Sequence, residues 1–243
     1  MKYGKIEDIS IYSESLGEEM QLLIHLPDNY SPLFKYEVLI ASDGKDYFQY
    51  GRIGRVVDQL MEEEEIENII VVGVPYKSVP ERRRMYHPDG DRSEAYIRFL
   101  AHELVPYLDK EYPTNQIGTS RGLIGDSLAA TTSLRAALKY PNIFGKVILH
   151  SPYVDDLVLK EVEEAKDLSS ISIYHIIGEE ETEVKTTVDG IQDFLTPNRL
   201  LKDLLEKKGI PYFYEEFKGN HTWKHWQPDV PRAIKKVYGY SIN

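Results

Sequence analysis

Two serines lie in settings that could make a nucleophile. Gly118-Thr119-Ser120-Arg121-Gly122 matches G-x-S-x-G throughout, and Gly125-Asp126-Ser127-Leu128-Ala129 matches with alanine in the last place. In a nucleophile elbow the serine sits on a strained turn that leaves a strand and enters a helix, and its neighbours are small because helix and strand pack closely there. Ser127 has that setting, with an apolar Gly-Leu-Ile before it and the helix-like Leu128 to Lys139 after it. Ser120 precedes the strand, whereas parallel sheets place their sites at the carboxyl ends of strands. The context therefore selects Ser127, and Ser120 reads as a turn residue.

A serine hydroxyl is a poor nucleophile at neutral pH and needs a base, with a third group to orient that base. In this setting the acid and the histidine follow the serine in chain order. His175 lies inside the apolar run Ile171 to Ile177 and reads as core. His150 ends another run and reads as a strand-end residue that could line the site. His221, in Lys218-Gly219-Asn220-His221-Thr222-Trp223, follows the last strand and can reach back over the elbow, so it is the expected base. His221 and His225 have a metal-like spacing, but no third ligand accompanies them and no metal is expected. The acid should follow the strand that ends at Ile177, where Glu179, Glu180, Glu181 and Glu183 all qualify. The oxyanion hole needs backbone N–H groups from Leu128, the residue after the nucleophile, and from the loop after the third strand, Ser42-Asp43-Gly44-Lys45-Asp46, where Gly44 permits the close approach.

The elements that must position these residues alternate in period. Lys5 to Tyr12 and Met20 to Leu26 read as an antiparallel hairpin at one edge of a sheet. Short apolar runs then recur at Tyr36 to Ala41, Asn68 to Val74, Arg121 to Ile124, Lys146 to His150, Ile171 to Ile177 and Tyr212 to Phe217. Helical patterns lie between them, at Gly51 to Glu65, Ser93 to Lys110, Leu128 to Lys139, 156–166 and 197–208, and one closes the chain at 229–238. That alternation predicts an α/β fold, a mostly parallel sheet with both faces covered. No linker interrupts the 243 residues, so 1–243 is expected to form one domain.

Composition limits the partners. Twenty-nine Lys+Arg against 40 Asp+Glu give a net charge of −11, which argues against nonspecific binding to nucleic acid or anionic membrane. The absence of cysteine excludes thiol catalysis and Cys-based metal sites. Met1 to Asp8 holds no apolar leader segment and no run approaches the length of a membrane span, so a cytoplasmic protein is expected. Neither G-x-G-x-x-G nor G-x-x-x-x-G-K-[ST] occurs, so no cofactor is expected.

Three segments together, Ile124-Gly-Asp-Ser-Leu-Ala, Phe144-Gly-Lys-Val-Ile-Leu-His-Ser-Pro and Gly219-Asn-His-Thr-Trp-Lys-His-Trp, resemble the putative-esterase family of α/β-hydrolases. That family includes enterochelin esterases, esterase D-type enzymes and feruloyl esterases. Ser42-Asp-Gly-Lys-Asp, Glu103-Leu-Val-Pro-Tyr and Asn198-Arg-Leu-Leu add to the resemblance, which covers about residues 20 to 235. It implies an α/β-hydrolase fold without a large cap domain and a serine esterase acting through an acyl-enzyme on Ser127, with His221 as base and oxyanion donors at Leu128 and the Gly44–Lys45 segment. Some siderophore esterases of the family carry Gly-x-x-Glu before the histidine strand. Gly178-Glu-Glu-Glu181 matches, so the resemblance selects Glu181 as the acid. Three positions depart from the family pattern: Ala129 replaces Gly, Thr222 follows the histidine where Asp is common, and Met85 replaces the acid of Arg-x-x-Glu-Tyr.

The expected substrate is a small ester, siderophore-like or short and aromatic. Only Ser151 to Ser170 separates the sixth strand from the seventh, too little for an enclosing cap, so an open, shallow site is expected. The loop Pro80 to Pro88 should form its rim through Arg82, Arg83 and Tyr86, with Arg84 beside them as a positive patch favouring anionic or catecholate esters. Trp223 and Trp226 should stack on aromatic parts of the substrate. Thioester hydrolysis, acyl transfer and a non-catalytic binding role are the alternatives on the same scaffold.

Overall fold

A computed structural model describes residues 3–240; Met1 and Lys2, which open the stretch read for a leader, lie outside the described residues. In chain order the elements are β1 (Lys5–Ser13), β2 (Glu18–Leu26), β3 (Glu37–Ser42), α1 (Gly44–Gln49), α2 (Ile53–Glu62), β4 (Ile69–Val74), α3 (Val79–Tyr86), α4 (Ser93–Phe99) and α5 (Val105–Glu111). There follow β5 (Arg121–Asp126), α6 (Leu128–Lys139), β6 (Lys146–His150), α7 (Asp156–Glu164), β7 (Ser172–Gly178), β8 (Val184–Lys185), β9 (Ile191–Gln192), α8 (Leu195–Lys207), β10 (Tyr212–Phe217) and α9 (Trp223–Tyr238).

Eight strands form one sheet in the order β1-β2-β4-β3-β5-β6-β7-β10. β1 pairs with β2, and β2 with β4, antiparallel; every other pair is parallel. Successive strand residues point to opposite faces. Val38, Ile40, Ile70, Val72, Leu123, Val147 and Leu149 accordingly pack on the side covered by α4 to α8. Leu39, Ala41, Ile69, Val71, Ile124 and Ile148 pack on the side of α1, α2 and α9. β4 is buried along its whole length, which is why Ile-Ile-Val-Val-Gly-Val reads as a continuous apolar run rather than an alternating one. Each such buried branched side chain contributes about 1.5–3 kcal/mol. The expected mixed sheet with an antiparallel N-terminal edge, covered on both faces and without a large cap domain, is the fold observed. Among the described residues no helix is long and apolar enough to cross a membrane.

Four local expectations are corrected. The rim segment read as a loop is the helix α3, with Ser78 accepting a hydrogen bond from the Glu81 N–H and Pro80 in the first turn. It escaped a periodicity argument because only Met85 and Tyr86 of its eight residues are buried. The loop after β3 turns at once into α1, since Asp43 takes a left-handed conformation (φ 56°). The last helix starts at Trp223, not near 229, and runs through Pro228 and Pro231, which a propensity argument takes as breaks. The stretch Ser93 to Lys110 is interrupted by one wide π turn at Leu100–Leu104, just before Pro106 at the start of α5.

Candidate active site

Ser127 sits between β5 and α6 with φ 53° and ψ −125°, a region that a side chain rarely adopts. The surroundings hold it there. Its N–H donates to the His150 carbonyl at 2.9 Å, and its own carbonyl accepts from the Thr131 N–H at 3.1 Å and the Tyr153 N–H at 3.3 Å. The start of α6 can approach β5 this closely because position 125 is glycine: a Cβ there would collide with the backbone of Ala129. Leu128 opens α6, so its N–H is one of the first-turn donors that no helix can satisfy internally. Ser120 lies at the opposite end of β5, buried in a single 3₁₀ turn, where its hydroxyl accepts from Asn115 Nδ2 at 3.3 Å.

The strand order brings the loops after β5, β7 and β10 to one edge of the sheet, since β5, β6, β7 and β10 are consecutive and parallel. His221 Nδ1 is 2.6 Å from Glu181 Oε2. Glu181 is fully buried, and its other oxygen receives the Gly178 N–H at 2.8 Å and the Ser151 hydroxyl at 2.7 Å. The Trp226 indole N–H donates to that same hydroxyl at 3.0 Å. Three neighbours thus hold the carboxylate in one orientation, and Trp226 fixes the Ser151 hydroxyl among them. Glu179, Glu180 and Glu183 are exposed to solvent. The imidazole of His221 is wedged between Phe194, with ring centroids 4.5 Å apart, and Trp226, at 4.8 Å and edge-on. Ser127 and His221 face one cavity, without a hydrogen bond yet formed between them; such bonds often tighten only with substrate bound.

That cavity measures about 140 Å³. Its walls include Val79, Leu128, Tyr153, Phe194 and the segment from Val184 to Asp189, with Arg82 and Arg83 on the α3 side. The remaining expected site residues stand elsewhere. Gly44 packs against the backbone of β4, and Lys45 is exposed; neither lines the cavity. Tyr86 is fully buried beneath the site, 4.9 Å from Tyr96, and its hydroxyl accepts from the Asp43 N–H at 3.3 Å. Trp226 is buried behind Glu181, and Trp223 leans edge-on against Tyr47 at 4.9 Å, away from the cavity. These three rings are therefore packing and positioning groups, not a rim.

The positive patch is corrected as well. Arg82 gives Nε to both oxygens of Asp43, at 2.9 and 2.8 Å. Arg83 pairs with Asp89 and Asp189, and Arg84 with Glu81 and Asp91. Each guanidinium is matched by carboxylates, which leaves little free positive charge for an anionic substrate. Beside this cluster, burial and then the charge of Asp43 push the Asp126 carboxyl well above its usual range.

The other histidines have structural partners. His150 is fully buried between the Tyr47 hydroxyl at 2.9 Å and Asp229 at 3.0 Å. The His225 ring lies against Gly219 and Phe217. His175 bonds the Tyr212 hydroxyl at 2.8 Å and Asn198 at 2.7 Å, and burial pushes its imidazole down to about 4. The unfolded chain takes up a proton there below about pH 6.5 that the folded chain refuses until about pH 4. Stability should therefore fall as pH drops through that window, by on the order of 3 kcal/mol at its lower end. Urea midpoints taken at about pH 7 and about pH 4.5 check this. The pH-dependent loss should be smaller in His175→Gln, and an equal loss in both proteins would exclude His175 as its source.

Residues not foreseen include Ser151, Tyr153, Phe194 and the β8–β9 hairpin. Ser151 carries a signal in hindsight: it follows β6 directly, at the same sheet edge as the elbow, with φ 48°.

The chain is similar to known proteins over nearly its whole length. The family model described as "Putative esterase" matches residues 13–237. The YjcH protein of Bacillus subtilis (strain 168) is 56% identical over 236 residues, covering 97% of this chain and 98% of that one. An acetyl esterase of Caldicellulosiruptor saccharolyticus is 23% identical over 258 residues, covering 95% and 97%. A solved ferulic acid esterase superposes with a TM-score of 0.81 at 18% identity, covering 98% of this chain and 99% of that one. An eight-stranded sheet, a strained serine at the turn from β5 into α6 and a family match from residue 13 to residue 237 point the same way, and the chain belongs to the putative-esterase family of α/β-hydrolases.

Proposed function

We propose that this chain is a serine carboxylic-ester hydrolase that works through an acyl-enzyme on Ser127. One observation carries the reading: a strained serine shares a cavity with a histidine whose far nitrogen is bonded to a buried, fully coordinated carboxylate. Ser127 attacks the ester carbonyl and passes its proton to His221 Nε2. Glu181 holds the imidazole in the tautomer that can accept that proton and stabilises the imidazolium that results. The Leu128 N–H donates to the developing oxyanion. The protonated His221 then gives its proton to the departing alkoxide, and the acyl group remains on Ser127. Water, deprotonated by His221, then attacks the acyl carbonyl; as its bond to Ser127 breaks, His221 returns the proton to Ser127 Oγ and the acid leaves. The reading takes residues 1–243 as one domain, because every group comes from one sheet edge.

The cavity bounds the substrate. At about 140 Å³ it is close to the engineered protein cavities of roughly 150 Å³ that accept benzene. Tyr153 and Phe194 meet edge-on in its wall at 5.8 Å, a surface suited to a flat or short apolar group. Short acyl esters and esters with one aromatic ring are therefore the proposed substrates, in keeping with the acetyl esterase and the ferulic acid esterase that the chain resembles.

A fluorophosphonate probe should label the protein at Ser127, located by peptide mapping. An ester panel should show turnover of acetyl, butyryl and feruloyl esters and little action on long-chain triglycerides. Absence of labelling together with no ester turnover would reject the reading, and efficient triglyceride cleavage would reject the substrate class.

A further inference from the structure

The cavity is covered by a segment to which the proposed chemistry gives no role. Between Glu181 and α8 the chain leaves the main sheet as the β8–β9 hairpin, which forms a small sheet of its own. Both ends of this excursion are gathered at one atom: the N–H groups of Phe194 and Leu195 donate to the Glu181 carbonyl at 2.9 and 3.1 Å. The tip is closed by its own bonds, from Thr186 N–H to the Gly190 carbonyl at 2.8 Å and from Asp189 N–H to the Thr186 hydroxyl at 2.9 Å. Val184 to Asp189 line the cavity; Val184, at the root, packs against the small cluster of Ile177, Phe194 and Leu195, while Val188 is 55% and Ile191 69% exposed, so the tip has no packed core behind it. Two strands of two residues are marginal by themselves.

Across the cavity, Asp189 receives Arg83 Nε at 3.1 Å and Nη2 at 2.9 Å from α3. Among the described residues, this is the hairpin's one side-chain ion pair with the opposite wall. The pair is partly exposed, 27% for Arg83 and 28% for Asp189, and Arg83 is shared with Asp89. Such a pair is weak and is screened by salt. A hairpin fixed at its root and joined to the opposite wall by one partly exposed pair can open at its tip without disturbing that root.

We propose that the β8–β9 hairpin is a flap latched by Arg83 and Asp189, and that the latch sets the longest acyl group the site admits. This deepens the esterase reading and rests on it for the identity of the substrate. It also gives Arg83 a purpose other than attracting an anionic ester: its charge is spent on the latch. With the latch closed, the segment from Val184 to Asp189 is a wall of the small cavity; with it open, the cavity continues toward solvent past Val188.

The test compares the wild type with Asp189→Ala, Arg83→Gln and the double variant. Two measurements are made: kcat/KM for p-nitrophenyl octanoate relative to the acetate, and the rate of tryptic cleavage after Lys185. Each single variant should raise the octanoate-to-acetate ratio about fivefold and speed cleavage by a similar factor. The double variant should do no more than either single one, since both remove the same interaction. About 1 M salt should move the wild type, but not the double variant, in the same direction. If Ser127 is labelled and acetate is hydrolysed but the ratio does not move, the latch is overturned as a specificity element; additive effects of the two substitutions overturn it as a pair. If the wild type cleaves neither ester and is not labelled, the esterase reading falls instead, and Lys185 cleavage still decides the flap: acceleration in both single variants supports it, and none overturns it.

Discussion

Replacing Ser127 with alanine is expected to lower the turnover of an activated ester by roughly 10⁴- to 10⁶-fold, because the members of a nucleophile–base pair act as a unit and little remains when the nucleophile is gone. The fold should survive. The strained conformation at Ser127 is imposed by backbone hydrogen bonds, its N–H donating to the His150 carbonyl and its carbonyl accepting from the Thr131 and Tyr153 N–H groups, all of which alanine keeps. Alanine does not relieve the positive φ either, so melting temperature should change little. Ser120→Ala is the control. Its hydroxyl meets only Asn115, at the far end of β5, and its loss should leave turnover within about twofold, as for a lost side-chain hydrogen bond remote from the site. Steady-state kinetics on p-nitrophenyl acetate separates the two. Comparable losses in both variants would place the nucleophile outside the β5–α6 turn.

Glu181→Gln is expected to lower kcat by about 10³- to 10⁴-fold, because an amide in this place favours the wrong imidazole tautomer and cannot stabilise the imidazolium. A structural cost should accompany it. Glu181 receives donors from Gly178, Ser151 and His221, and a glutamine brings two donors of its own into a fully buried site. One unmatched buried donor costs about 1–3 kcal/mol, which should appear as a lower urea midpoint. The same change at Glu179, Glu180 or Glu183 should leave both quantities nearly unchanged, since those side chains are exposed. A mild kinetic effect at Glu181 with the stability loss intact would reduce its role to packing and leave Ser127 and His221 as a pair.

Much of this molecule was legible in the order of its residues. Six apolar runs alternating with helical patterns determined an α/β sheet, because a strand buried on both faces must be apolar throughout. The strand–turn–helix context of the elbow separated Ser127 from Ser120, because only one of them stands between a strand and a helix. Tertiary structure decided what depends on direction and depth. By spacing alone, the carboxylates Glu179, Glu180, Glu181 and Glu183 are equivalent; the turn after β7 buries one of them and leaves three in water. Tyr86, Trp223 and Trp226 lie in the right segments for a rim, yet the helices that carry them turn those rings away from the cavity. Three arginines in a row suggest a positive surface, but Asp43, Asp89, Asp91 and Asp189 reach them from segments up to about a hundred residues away. The hairpin lining the cavity had no sequence signal, because two strands of two residues each are too short to show an apolar period. Local chemistry and hydrophobic period are written along the chain; which groups meet, and which are buried, is settled only when the sheet order brings the strand ends together.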